Sequence, residues 1–279
     1  GIRKRLLEYD DVMNSQREVI YKKRRHALLG ERIGVDIANN MYDVCETLVE
    51  EHKDANDLES FRMDVLKYFA VDFDIKEEDF QKTSADNLTE RLYKEVRDTF
   101  SRKTETIAKQ AFPVIKNVFE QRGEMFKNIV VPFTDGKRAY NVVANLEKTY
   151  KSEGEELIRA YEKSIMLAHI DDAWKEHLRE MDDLKQSVQN ATYEQKDPLL
   201  IYKFESFNLF KSMVDKINKN VVSTLMKGQI PFEAPEEVKQ AEEKRTDLSK
   251  MRTGRSDAPA AQTNQAPRKT EPVKVGPKV

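Results

Sequence analysis

Four side chains in the second half of the chain have the chemistry of metal ligands. His169, Asp172, Glu176 and His177 fall within one helical pattern, and imidazole and carboxylate groups are common ligands of zinc. The HExxH arrangement of zinc enzymes needs its two histidines four positions apart, whereas these two are eight positions apart. We therefore expect no metal site and interpret the four residues as packing and surface groups.

The residues needed to bind a nucleotide are also missing. A P-loop requires the pattern GxxxxGK[ST], whose backbone amides surround the phosphates. Gly136-Lys137 is the only Gly-Lys pair, and Arg138 follows it in place of Ser or Thr. The sequence therefore predicts a chain with no catalytic residue and no cofactor. A hydrolase that uses some of the many carboxylates remains a further hypothesis, but no motif supports it.

One aromatic residue lies where no helical stripe continues. Tyr193 falls in a polar connector, residues 189–197, with Thr192, Glu194 and Gln195 around it. A ring with a hydroxyl group can contact many different surfaces without choosing among sequences. The residues alone leave two alternatives open, a tyrosine packed on its own stem and a residue that binds a partner.

Two long amphipathic segments flank this connector and must position it. Apolar residues recur about every 3.5 positions in both, the spacing of packed helices. Asp197 followed by Pro198 is a helix-start signal, Gly228 ends the second segment, and a short connector favours an antiparallel pair. The first row contains Leu167, Ile170, Trp174, Leu178, Met181, Leu184 and Val188, and the second contains Phe204, Phe207, Phe210, Val214, Ile217, Val221 and Leu225.

The same spacing selects the residues of the scaffold core. An aromatic or long apolar side chain in the middle of a helix seam covers a large area, so a packing role explains it without a ligand. Cys45 lies among apolar neighbours, and we expect it to be buried as a small hydrophobic residue. The predicted scaffold core consists of Trp174, Leu178, Met181, Phe207 and Phe210.

The first half of the chain predicts further helices and one small β-hairpin. Residues 2–29 form one charged helical pattern, ended by Gly30 and Gly34, and Asp36 is predicted to cap a helix that continues to about His52. Helical periodicity returns at residues 58–69 and 87–121, where Pro113 should bend or split the second helix. Residues 129–131 and 142–143 are β-branched and lie on either side of Asp135-Gly136, a dipeptide that favours a tight hairpin turn.

Composition limits the classes of protein that fit. Of 279 residues, 35% are charged and 39% hydrophobic, which favours an extended, mostly helical shape. Lysine and arginine number 48 against 50 aspartate and glutamate, so nucleic acid is a poor partner. No apolar run approaches the roughly 18 residues that span a bilayer. Residues 229–279 are predicted to be a flexible tail that is basic near its end.

Four blocks of sequence carry a resemblance to a known family. RKRLLEYDDVMNSQREVIY, IDDAWKEHLREMDDLKQSV, TYEQKDP and YKFESFNLF occur in this order and closely resemble the SecA family of preprotein translocase motors. The resemblance runs from about Ile2 to Lys227, and residues 126–145 depart from the family pattern. It implies a mostly α fold in which an extended scaffold of long helices carries an antiparallel helical hairpin, called the two-helix finger. A smaller helical wing domain, with a short β-hairpin, completes this fold.

The resemblance also implies boundaries and a function. Residues 1–52 and 151–228 would form the scaffold and finger, residues 53–150 the wing, and residues 229–279 a linker. The chain would be a non-catalytic C-terminal part of the motor, beginning abruptly inside a longer protein whose ATPase domains bind ATP and Mg. Its expected partners are unfolded preprotein, the SecYEG channel, those ATPase domains and an acidic lipid surface, at the cytoplasmic side of the bacterial inner membrane.

Two groups of site residues follow from the resemblance. The fingertip residues Tyr193, Thr192, Glu194 and Gln195 would contact the polypeptide. An interface to the ATPase domains would contain Tyr9, Asp10, Asp11, Gln16 and Arg17, although the residues alone fit an ordinary solvated helix face. The alternative, from a different class, is a self-standing helical coiled-coil protein that assembles with other chains.

Overall fold

A computed structural model describes residues 2–30, 32–123, 125–188 and 197–231, all within one compact unit. The described part of the chain is mostly α and contains eight helices and two strands. In chain order they are α1 (Ile2–Leu29), α2 (Ile33–Asp54), α3 (Leu58–Phe69), α4 (Glu77–Lys82), α5 (Ala85–Arg122), β1 (Asn128–Thr134), β2 (Ala139–Asn145), α6 (Leu146–Lys151), α7 (Glu155–Ser187) and α8 (Pro198–Lys227).

Helices α7 and α8 form the predicted antiparallel hairpin. Near its base Tyr161 donates a hydrogen bond to the Thr224 carbonyl oxygen, and further along Lys216 contacts Glu176 at 2.5 Å. Positions therefore rise along α7 as they fall along α8, which defines an antiparallel pair. The Asp197 carboxylate accepts a hydrogen bond from the backbone N–H of Leu199, so the predicted helix start is confirmed.

A third helix, α1, lies along both arms of the hairpin. Its contacts with α8 run in the same chain direction, from Tyr9 against Tyr202 to Lys23 against Asn218. Helix α1 is therefore parallel to α8 and antiparallel to α7. The hairpin is not a free pair of rods over its described length, because α1 accompanies it to the level of Tyr202.

The first helix ends as predicted, but the next begins earlier. Gly30 has a φ of +74°, which a residue without a side chain adopts easily, and it follows the last residue of α1. Gly34 lies inside the first turn of α2 and Asp36 is not its N-cap, so both of those predictions are wrong. A carboxylate in the first turn still interacts favourably with the helix dipole.

The second apolar row is buried at Ile217, Val221 and Leu225, as predicted, but its first two residues are not. Phe204 and Phe207 are 64% and 63% exposed, so the prediction that Phe207 belongs to the core is wrong. Tyr202, Ser206 and Met213 occupy the buried positions instead. Helix α8 packs against α1, α2 and α3 as well as α7, and this wider contact selects a stripe that spacing alone does not distinguish.

The first row lies where the periodicity predicted it. Trp174 and Met181 are buried, and Leu178 is partly buried and packs against the main core, as does Phe210 of the second row. Cys45 is fully buried, and burial raises the pKa of its thiol.

The wing region combines helices α3 to α5 with the small sheet. Helix α5 runs unbroken through Pro113, so the helix is not split there. Strands β1 and β2 pair antiparallel with Thr134 opposite Ala139, which confirms the predicted hairpin. In its turn the Asp135 carboxylate accepts hydrogen bonds from the backbone N–H groups of Lys137 and Arg138, at 2.8 and 2.7 Å.

The end of α8 leads to a testable prediction. A methyl group at Gly228 would overlap with the Tyr161 hydroxyl group, which bonds the Thr224 carbonyl oxygen at 2.9 Å. We expect Gly228→Ala to lower the free energy of unfolding by about 1–3 kcal/mol through overpacking. Gly34→Ala is the matched control, because nothing lies within 4 Å of the added methyl group and a helical alanine should stabilise by about 0.5–1 kcal/mol. Urea unfolding measures both, and equal stability of the two variants would contradict the prediction.

Candidate functional site in the hairpin and its supporting helix

The predicted fingertip lies outside the described residues. Tyr193, Thr192, Glu194 and Gln195 fall in residues 189–196, between the described ends of the two arms at Val188 and Asp197. The structure therefore defines the part of the candidate site that holds this connector, namely α7, α8 and the supporting helix α1. Contacts between these three helices occur at three levels.

Aromatic packing joins α1 to the hairpin at the level nearest the connector. The rings of Tyr9 and Tyr202 lie 4.7 Å apart between centroids and are tilted by 57°. Lys185 of α7 is 3.8 Å from the Asp10 carboxylate and 5.9 Å from the Tyr9 ring centroid. Burial raises the pKa of Tyr202 to about 12, so its hydroxyl group is neutral at physiological pH. This level closes the apolar cluster around Met181.

A buried polar contact joins all three helices at the middle level. The Gln16 side-chain amide donates to the Ser206 carbonyl oxygen at 3.0 Å, and its oxygen lies 2.8 Å from Nε2 of His177. Gln16 is 7% exposed and His177 is fully buried. Since an amide oxygen only accepts, His177 carries its hydrogen on Nε2. Gln16 therefore links α7 and α8 through one side chain of α1.

The surroundings of His177 keep it uncharged. Its ring lies between Trp174 and Phe210, at centroid distances of 5.6 and 5.8 Å. Burial lowers the pKa of His177 below its ordinary value. Its Nδ1 atom has no hydrogen-bond partner among the described residues, because the nearest carboxylate, that of Glu180, is 3.9 Å away. This ring is therefore sensitive to any loss of its one hydrogen bond.

Charged contacts fasten the base of α1. Arg24 donates two hydrogen bonds to the Asp171 carboxylate, at 2.7 and 3.1 Å. The neighbouring Lys23 donates to Asn218 of α8 at 3.0 Å and to Asn40 of α2 at 3.5 Å. Burial lowers the pKa of Lys23, so its pairing with amide oxygens compensates only part of the lost hydration.

Taken together, the three levels connect the three helices rigidly. Hydrogen bonds are directional, and a buried one that is broken without replacement costs about 1–3 kcal/mol. Sliding α1 along the hairpin would break the contacts at all three levels. A displacement of α1 is therefore passed to both arms instead of being absorbed between them.

The residues predicted to contact the ATPase domains divide into two sets. Gln16 is buried and the half-buried Tyr9 packs on Tyr202 within this chain, and for these two residues the contact with the ATPase domains stays a prediction. Asp10, Asp11 and Arg17 are exposed. The sequence contained a signal for the burial of Gln16. It takes the position between Met13 and Ile20 where an apolar residue would continue the buried face of α1.

The four residues considered as metal ligands each contact a different side chain. Among the described residues, no group of three or more histidine, cysteine, aspartate or glutamate side chains could hold a metal ion. Nor is any described helix long and apolar enough to cross a membrane. The individual contacts are His169 with Thr224 at 2.9 Å, Asp172 with Arg138 at 3.6 Å, Glu176 with Lys216 at 2.5 Å and His177 with Gln16 at 2.8 Å.

Comparison with known proteins places this arrangement in a family. The family model described as the SecA Wing and Scaffold domain matches residues 1–229. The chain is similar to the protein translocase subunit SecA of Porphyromonas gingivalis, with 49% identity over 95% of this chain and 25% of the relative. It is also similar to the protein of the same name from Bacteroides thetaiotaomicron, with 50% identity over 98% of this chain and 26% of the relative. The chain thus spans about a quarter of the length of these curated relatives.

The central role of Gln16 is testable by an apolar replacement of similar size. Gln16→Leu removes the acceptor for the His177 Nε2–H group and the side-chain donor for the Ser206 carbonyl group. We expect the free energy of unfolding to fall by about 2 kcal/mol, because a buried donor loses its partner. Arg17→Leu is the control, since Arg17 is exposed and, among the described residues, bonds only Asn14, and it should change stability by less than about 0.5 kcal/mol.

A double-mutant cycle separates this contact from general packing. If Gln16 and His177 act as a pair, combining Gln16→Leu with His177→Phe should destabilise by at least about 0.5 kcal/mol less than the sum of the single variants. Strictly additive losses in urea unfolding would show that the contact contributes nothing of its own.

The buried imidazole predicts a pH dependence. The pKa of His177 is lowered from 6.5 in the folded chain, so below that pH the unfolded chain binds a proton that the folded chain resists. Its contribution to stability is therefore complete above pH 6.5 and is lost as the pH falls through the folded pKa. We expect the stability difference between the wild-type chain and His177→Gln to shrink from pH 8 to about pH 5. A constant difference over this range, measured by urea unfolding, would contradict this assignment.

Proposed function

Since this chain belongs to the SecA wing and scaffold family, we propose that it is the non-catalytic transmission part of a protein-translocating ATPase. The nucleotide chemistry, with ATP and Mg, belongs to domains outside the quarter of the protein that this chain spans. The role of the chain is to pass their movement to the connector between α7 and α8. The observation that supports this proposal best is the buried link from Gln16 to both arms of the hairpin.

The proposed division of labour follows the chain. Residues 1–52 and 151–228 act as the scaffold, with α7 and α8 as its two-helix finger, and residues 53–150 act as the wing. Residues 229–279 serve as a linker. The wing packs on the scaffold through apolar side chains of α2, α3 and α5, so it supports the base of the finger.

Force transmission in this proposal has an input and an output. Asp10, Asp11 and Arg17 form the exposed face of α1 that contacts the ATPase domains. Movement of α1 passes through the three levels of contact to both arms, and reaches Tyr193 with its neighbours Thr192, Glu194 and Gln195. The tyrosine ring contacts an unfolded polypeptide without selecting its sequence, as a general transport motor requires.

The proposed partners are an unfolded preprotein, the SecYEG channel and the ATPase domains of the same protein. The proposed location is the cytoplasmic side of the bacterial inner membrane, with an acidic lipid surface as a further contact. Nucleic acid is not proposed as a partner, because the chain has 48 basic against 50 acidic residues. A self-standing coiled-coil protein is not favoured, since the family match extends over residues 1–229.

The output of this mechanism is tested at the connector in the full-length protein. Tyr193→Ala should reduce ATP-dependent transport of a preprotein into vesicles that contain the SecYEG channel by about tenfold, equivalent to about 1.4 kcal/mol. The reason is the loss of an aromatic contact at the end of the finger. Tyr193→Phe, which keeps the ring, should retain most of the transport.

Two further measurements make the result specific. The ATPase rate in the absence of preprotein and the melting temperature should be unchanged in Tyr193→Ala, because the residue belongs to no nucleotide-binding motif and continues neither apolar row. Transport by Tyr193→Ala at the wild-type rate would remove the proposed role of the connector.

A further inference from the structure

A polar cleft lies where the turn of the β-hairpin meets helices α7 and α8. Its volume is about 470 Å³, within the range of roughly 300–1,000 Å³ that is common for small-molecule sites. Its walls are the turn that contains Lys137, one side of α7 near His169, and the last turns of α8 from Asn220 to Lys227. None of the large apolar side chains that are exposed in the described part of the chain lines it. The cleft is therefore suited to a polar ligand.

The carboxylates of the cleft are already used by other groups. Four lysine or arginine and three aspartate or glutamate side chains line it. Asp172 lies 3.6 Å from Arg138, and Glu176 lies 2.5 Å from Lys216. The third carboxylate, that of Asp135, accepts hydrogen bonds from two backbone N–H groups of the turn. Two of the four cations are thus left without a carboxylate of their own.

These two cations are Lys137 of the turn and Lys227 at the end of α8. Neither forms an ion pair with a described carboxylate. Lys227 instead donates to the Ser223 hydroxyl group at 2.9 Å and to the Lys67 carbonyl oxygen. Burial lowers the pKa of Lys227, and the positive charge of Lys137 lowers it further. The two ammonium groups therefore repel each other across the cleft, and an anion between them would be attracted by both.

Uncharged polar groups complete the walls of the cleft. The hydroxyl group of Tyr140 is buried and has no hydrogen-bond partner of normal geometry among the described residues. Asn220 and Ser223 line the side formed by α8. A buried hydroxyl group without a partner is unfavourable, and a ligand oxygen at this wall would supply the partner. The cleft thus combines unpaired cations with donors for a hydroxylated molecule.

A soluble phosphate monoester fits these groups better than a membrane surface does. Its phosphate carries a charge of about −1.5 to −2 near neutral pH and has three acceptor oxygens, which suits two ammonium groups. The guanidinium group of Arg138 can also turn to the ligand, because its exposed pair with Asp172 contributes little. An anionic bilayer, in contrast, would be repelled by the exposed carboxylates of Asp172 and Glu176. Nor would it gain an apolar contact at the cleft.

We propose that this cleft binds a small soluble phosphate monoester, such as a sugar phosphate, with its phosphate group between Lys137 and Lys227. The hydroxylated part of the ligand would lie against Tyr140 and the polar side chains of α8. Because the walls come from the turn of the β-hairpin and from both long helices, a bound ligand would hold the hairpin against the end of α8. This inference does not depend on the proposed function.

Titration of the full 279-residue chain with glycerol phosphate tests the proposal. The backbone amide signals of Lys137, Arg138 and Ser223 should shift in nuclear magnetic resonance spectra and reach saturation, whereas glycerol at the same concentration should not shift them. Lys137→Ala should weaken binding by about tenfold or more, because it removes a charge-assisted hydrogen bond. Lys137→Arg, which keeps the charge, should retain most of the affinity. Lys109→Ala is the matched control, since Lys109 is an exposed lysine of α5 that does not line the cleft.

The possible results separate this site from its rivals. Lys227→Gln, which retains a donor for the Lys67 carbonyl oxygen, should weaken binding by a factor similar to that of Lys137→Ala. Absence of saturable shifts in the wild-type chain would overturn the proposal, as would equal affinity of the wild-type chain and Lys137→Ala. Binding to vesicles of anionic lipid that Lys137→Ala abolishes, without saturable binding of glycerol phosphate, would assign the cations to a membrane surface and overturn the small-molecule site.

Discussion

The need to pair buried polar groups determines how helices α1, α7 and α8 are aligned along one another. Gln16, His177 and Ser206 come from α1, α7 and α8, and the first two are almost completely removed from water. Apolar side chains alone would tolerate several registers of three parallel and antiparallel helices, because they have no directional requirement. The amide of Gln16 reaches an imidazole and a carbonyl group in one register only. A single side chain therefore selects one alignment of the three helices among those that their apolar faces would allow.

The position of this contact explains the arrangement around it. Above it, towards the connector, the interface is aromatic and apolar, with Tyr9 packed on Tyr202. Below it, charged groups at Lys23 and Arg24 reach α2, α7 and α8. Apolar packing near the end allows small adjustments at little energetic cost, whereas the bidentate pair with Asp171 fixes the base. The interface is therefore most tightly defined at the base of the hairpin and most adaptable at the level nearest the connector.

Sequence periodicity predicted the hairpin and most of the buried row of α8, but not the start of α2 or the exposure of two phenylalanines. Asp197-Pro198 and Gly30 carry local signals that operate through the backbone, so the corresponding boundaries were predictable. Phe204 and Phe207 satisfy the same spacing as the true core, and which stripe is buried depends on α1 and α2, helices distant in sequence. Gln16 was predictable in principle, because it interrupts the row of Tyr9, Met13 and Ile20. Its partners were not, since no local pattern specifies that His177 lies opposite.

The C-terminal end of α8 is held in place by several side chains. The last carbonyl groups of a helix have no partner within the helix. Side chains from other elements donate hydrogen bonds to two of these carbonyl groups. Tyr161 donates to the carbonyl oxygen of Thr224, His169 contacts the Thr224 hydroxyl group, and Lys103 donates to the carbonyl oxygen of Met226. Burial lowers the pKa of Lys103 to about 8, so this contact also depends on pH. Because Gly228 admits the Tyr161 hydroxyl group so closely, the chain leaves α8 in one direction and reaches β1 at Gln229. The end of α8 and the edge of β1 are thus positioned by the same few contacts, and any movement of α8 at its base would also move Gln229 against Thr134.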